Sequence, residues 1–226
     1  MPEQEKIHAQ INRDEFQKRT KELFASYYMT IISVIQGVAL SVLITNIPDA
    51  FKQSANHLLT LFYIIITFTY IVIISYEYAT ISGVYRWSYR IWDVAIPLLL
   101  GVGQSLPSIF LDHSWIWWSC SAGLYFIGIL AYINTFLHIH PELFVDGQVG
   151  DRAYKESCRA LLVGGLIMFV GLVIAIVISI ILFMWPKSML TQYIGLILAV
   201  FGVVLMIMKE QQWYRNLHNI YHFIQD

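Results

Sequence analysis

Two pairs of histidines are the first residues in this chain that could do chemistry. His218 and His222 stand one helical turn apart, and His138 and His140 precede Glu142, Asp146 and Asp151. Histidines at i and i+4 share one helix face and can chelate a transition metal, with carboxylates completing the shell. The same four imidazoles would also suit a pH sensor working near neutrality. The spacing is not specific to a ligand set, so the sequence implies no cofactor.

A second cluster is basic and aromatic. Arg86, Arg90 and Asp93 lie at i, i+4 and i+7, interleaved with Trp87, Tyr89 and Trp92, and Glu77 precedes them. Guanidinium groups among aromatic rings suit a phospholipid headgroup or another phosphate. The same residues also serve as anchors at a membrane interface.

A third group is neutral. Gln36, Thr67 and Tyr125 fall near the middle of long apolar runs, as does Gln104, which lies among Pro97, Gly101, Gly103 and Pro107. Two prolines and two glycines within so short a stretch are expected to break a helix, and freed carbonyls at membrane depth need polar partners. Gln36, Thr67, Gly101, Gly103, Gln104 and Tyr125 are therefore the pore or substrate candidates. Hydrogen bonds that merely hold helices together are the competing reading. No Asp, Glu, Lys, Arg or His is expected near the centre of a span, which favours a passive route over a coupled pump.

Catalysis finds little support. Asp146-Gly147 and Gly150-Asp151-Arg152 faintly resemble the start of the metal motif of CDP-alcohol phosphotransferases. The family's Ala-Arg is missing after the Asp-Gly, and so is the downstream aspartate pair. No nucleophile–base pair stands out, so no enzyme is expected.

The elements that must position these residues are apolar. The chain has 226 residues, 58% of them hydrophobic and 13% charged. Six apolar runs predict an all-α polytopic membrane protein with spans at about 23–46, 58–75, 93–111, 115–138, 158–185 and 189–208. Residues 1–22 form a polar segment, in which Asn12 and Glu15 have capping-box spacing. Of the 14 Lys and Arg, all but Lys52 and Lys187 fall in alternate connections or at the two ends. That positive-inside pattern puts both termini in the cytoplasm and places the protein in a plasma or bacterial inner membrane. The loop 140–157 reads as irregular, and 209–226 reads as an amphipathic helix with Trp213, Leu217, Ile220 and Ile224 on one stripe.

Small residues recur at helix spacing: Gly164, Gly171, Ala175 and Ser179, then Gly195, Ala199 and Gly202. Such faces allow close helix approach, within one chain or between copies. The expected partners are the lipid bilayer, a second copy of the chain, and a cytoplasmic protein bound through the 140–157 loop and the 209–226 helix. Nucleic acid is not expected, since no basic stripe exists.

The functional expectation is a small passive channel or transporter with a polar route beside the third span. A membrane-embedded accessory or scaffold subunit is the alternative, and a lipid-active enzyme the third reading. The topology is directly testable in a background with Cys120 and Cys158 replaced by Ser. Single cysteines at Asn46, Asp112 and Lys187 should react with an impermeant maleimide from outside intact cells, and one at Gly147 should not. Labelling of Gly147 from outside would overturn the assignment.

Overall fold

A computed structural model describes residues 3–84, 91–140, 148–186 and 188–222. Among the described residues six helices follow one another: α1 (Glu3–Gln53), α2 (His57–Val84), α3 (Trp92–Ile109), α4 (Ser114–His138), α5 (Gln148–Met184) and α6 (Met189–His222). No strand occurs among the described residues. Stretches of α1, α2, α4, α5 and α6 are long and apolar enough to cross a membrane. The fold is that of a multi-pass membrane protein. With 18 residues, α3 is the short helix, and Asp93, Gln104 and two prolines dilute its apolar character.

Two helix starts are legible in their caps. Asn56 Oδ1 accepts the N–H of Leu59 at 3.2 Å ahead of α2, and Ser188 Oγ accepts the N–H of Thr191 at 3.4 Å ahead of α6.

Several boundaries differ from expectation. Helix α1 runs through Asn12, so no helix starts there, and continues past Pro48 to Gln53. Helix α5 begins at Gln148 and absorbs much of the loop expected from 140 to 157. Helix α6 continues to His222, as the stripe beyond Met208 predicts. The expected break in the third span is absent. Pro97 falls early in α3 and Pro107 in its last turn, so neither interrupts the middle. The glycines serve close packing instead: Gly101 lies against Ile35 of α1, and Gly103 faces Leu124 and Ile127 of α4.

The helices close into a ring. Helix α1 packs beside α2 and α3, α3 beside α4, α4 beside α5, α5 beside α6, and α6 beside α2. A six-membered ring leaves a centre too wide for direct backbone packing, and large side chains fill it. Tyr63, Tyr70 and Glu77 of α2 recur every seventh residue, as do Trp118, Tyr125 and Tyr132 of α4. The Tyr63 and Trp117 rings stack with centroids 4.6 Å apart. One layer down, Tyr70 and Tyr125 meet edge to face and share a hydrogen bond of 2.8 Å. In the next layer, Tyr132 donates to Glu77.

The small-residue faces serve this arrangement within the chain. A Cβ on Gly164 would lie 2.5 Å from the Tyr132 ring, and one on Gly171 would lie 2.7 Å from Tyr125. Ser179 Oγ donates to the Trp115 carbonyl at 3.0 Å. The C-terminal stripe also turns inward. Trp213 and Leu217 are buried with Ile220 packed against the same core, and Asn216 donates to Glu156 of α5 at 3.2 Å.

Two glycine substitutions separate packing from helix propensity. Gly164→Ala should destabilise the protein by about 1–3 kcal/mol, because a pinned ring must shift. Gly202→Ala meets nothing within 4 Å and should be neutral or stabilising by up to about 1 kcal/mol. Thermal unfolding in detergent measures both, and equal shifts would remove the packing account.

Candidate functional site

The ring encloses a cavity of about 410 Å³ in the half of the bundle nearer the ends of α2 and α4. That volume lies within the range of small-molecule sites. Its walls come from all six helices and are mostly aliphatic and aromatic. Tyr70, Tyr125 and Trp118 line its apolar part, while Glu77, Asp93, Tyr132 and Asn134 line the other end.

The polar end is an ionic cluster built from three helices. Lys209 Nζ of α6 donates to Glu77 Oε1 of α2 and to Tyr132 Oη of α4, each at 3.0 Å. Lys209 also donates to its neighbour Glu210, and its ammonium lies 5.0 Å from the Tyr132 ring centroid. The side chains are deeply sequestered, with Lys209 8% and Glu210 3% exposed. Charges in an apolar bundle are costly unless paired and hydrogen-bonded, and this arrangement gives Lys209 three oxygen partners. Beside it, Asn134 Nδ2 donates to Asp93 Oδ1 at 3.3 Å.

The sequence predicts no ionisable group near the centre of a span, and it does not anticipate that those at the span ends are buried. Glu77 and Lys209 fall just beyond the ends of the expected spans at 75 and 208, yet α2 and α6 carry both into the interior. The signal available was the heptad spacing that aligns Tyr63, Tyr70 and Glu77 opposite Trp118, Tyr125 and Tyr132.

The sequence candidates are dispersed. Of the six pore candidates, Tyr125 lines the cavity, while Gln36, Thr67, Gly101, Gly103 and Gln104 do not. Thr67 accepts the indole N–H of Trp117 at 3.1 Å, which is the helix-stapling role. Gln36 is buried on α1. Gln104 is fully buried, and its amide makes no hydrogen bond among the described residues. His138 Nδ1 lies 2.6 Å from the Asn134 carbonyl, His140 is exposed, and the His218 ring stacks on Tyr214. Among the described residues, no three His, Cys, Asp or Glu side chains gather to hold a metal ion. Arg86, Arg90 and the His222 side chain lie outside the described residues.

No family model, curated protein or solved structure matches the chain.

The cluster predicts strong coupling. Lys209→Met leaves two buried carboxylates without their shared cation and should cost about 3–5 kcal/mol. Adding Glu77→Gln to that variant should recover part of the loss. Unfolding of the wild type, both single variants and the double variant in detergent measures the coupling, and strictly additive costs would contradict it.

Proposed function

We propose that the protein is a small membrane transporter whose solute occupies the cavity at the centre of the six-helix ring. The observation that carries this reading is the cavity itself, about 410 Å³ in volume, with buried ionisable groups at one end. A space of this kind in a bundle otherwise filled by interlocking aromatic rings favours a solute site over a purely structural interior.

The proposed topology has six spans with both termini cytoplasmic, α3 serving as the sixth span between α1 and α4. Its 18 residues reach about 27 Å, close to the roughly 30 Å of a bilayer core. The route moves from the neighbourhood of Gln36, Thr67 and Gln104 to the interior faces of α2 and α4. The passive character expected from sequence rests on the centres of the spans; Glu77, Asp93 and Glu210 are buried toward the ends of the expected spans and weigh on the other side. Groups of this kind are what coupled carriers use.

One observation favours the accessory-subunit reading. Helices α5 and α6 have 37 and 34 residues, or about 50 Å or more each, well beyond the thickness of a bilayer core. Their paired extension, joined through Asn216 and Glu156, offers a cytoplasmic partner a rigid platform.

Flux into proteoliposomes separates the two readings. The panel holds potassium, chloride, choline and a long-chain quaternary ammonium, and the control is Gly202→Phe. Gly202 lines the cavity, and a Cβ there meets no neighbour, so Phe should plug the space without disturbing the fold. Flux of one solute that Gly202→Phe abolishes supports the transporter. No flux from well-folded protein, together with a cytosolic partner retained on residues 209–222, supports the accessory subunit.

A further inference from the structure

We propose that the cavity takes an amphipathic organic cation, an apolar tail under an ammonium head, which enters from the bilayer between α5 and α6. This rests on the cavity being a solute site, and not on the solute being carried across.

The lining gives the sign of the head. Among the described residues the cavity wall carries two carboxylates, Glu77 and Asp93, and no Lys, Arg or His side chain. Carboxylates facing an apolar space attract a cation over a neutral or anionic group. An anionic head is disfavoured, because Lys209 already faces two carboxylates.

Aromatic chemistry agrees with the charge. Tyr70, Tyr78, Trp92 and Tyr132 border this end of the cavity. Aromatic faces attract ammonium groups, most strongly when water is excluded, and Lys209 over the Tyr132 ring uses that attraction already.

The remaining wall gives the tail and the entrance. Beyond the carboxylates the lining is almost wholly apolar, which fits an alkyl or aryl body. Leu166 and Val170 of α5 and Phe201 of α6 border the cavity yet are 62%, 48% and 58% exposed on the outer face. Gly202 stands beside them with no side chain to close the gap and nothing within 4 Å of where a Cβ would lie. The cavity therefore reaches the lipid-facing surface along the α5–α6 seam, where an amphipathic molecule already concentrates.

Binding in nanodiscs of zwitterionic lipid tests the inference. Radiolabelled dodecyltrimethylammonium is competed by unlabelled dodecyltrimethylammonium, by a neutral polyoxyethylene dodecyl ether and by dodecyl sulfate, which share one tail. The cation should compete about tenfold or more better than the neutral ether, the scale of one charge-assisted contact. Asp93→Asn and Glu77→Gln should each narrow that preference while leaving the ether unchanged, and Gly202→Phe should abolish competition by all three. Should one carboxylate variant fail to fold, the other decides. Equal competition by the three heads, or strongest competition by dodecyl sulfate, would overturn the proposal, as would an unaltered preference in the folded variants. Cation binding without flux would leave this inference standing and sink the transporter. Flux of another solute without any preference for the cation would do the reverse.

Discussion

The architecture depends on one packing problem: six helices arranged in a ring must fill a centre that their backbones cannot reach. The solution is a column of large side chains from α2 and α4, layered at intervals of seven residues. Tyr63 stacks on Trp117, Tyr70 bonds Tyr125, and Tyr132 bonds Glu77. Such rings bring much apolar area and a polar tip together, so they fill the space while Tyr70 and Tyr125 satisfy each other's hydroxyls. The column in turn dictates where α5 must be bare. Gly164 and Gly171 sit against Tyr132 and Tyr125 with no room for a methyl group, and the seven-residue interval of α4 is thus copied onto its neighbour.

The column does not fill the centre completely. Toward the ends of α2 and α4 the rings give way to the cavity, and there the bundle accepts Glu77, Lys209 and Glu210 in its interior. In lipid, helix association has no hydrophobic driving force of its own. A network of ions and hydroxyls joining α2, α4 and α6 therefore fixes their register more sharply than apolar contacts would. The same network is an electrostatically demanding place for a solute. Structure and binding are consequently tied to the same few side chains.

Much was legible from composition and charge. The apolar runs and the alternation of basic residues gave six helices and their rough limits, and α4 and α6 begin within a residue of where their apolar runs do. The stripe of Trp213, Leu217 and Ile220 gave the extension of α6. The candidate site was much less legible. Gln36, Thr67 and Gln104 are conspicuous as polar residues in a span, yet Thr67 is taken up by Trp117 and Gln104 does not line the cavity. Glu77 and Lys209 each stand just outside an apolar run, where a charge needs no explanation, so their burial and their meeting are not legible in the sequence.

Taken alone, the amino-acid sequence determined that the chain forms long apolar helices and roughly where each of them runs. That follows from local composition: each apolar run must satisfy its own backbone by coiling. Tertiary structure alone decided which helices are neighbours, that α3 stays whole despite its prolines and glycines, and that Glu77, Tyr132 and Lys209 meet. Those residues are separated by 55 to 132 positions along the chain. Their meeting depends on the order in which the ring closes, a property of packing between surfaces that no single segment encodes.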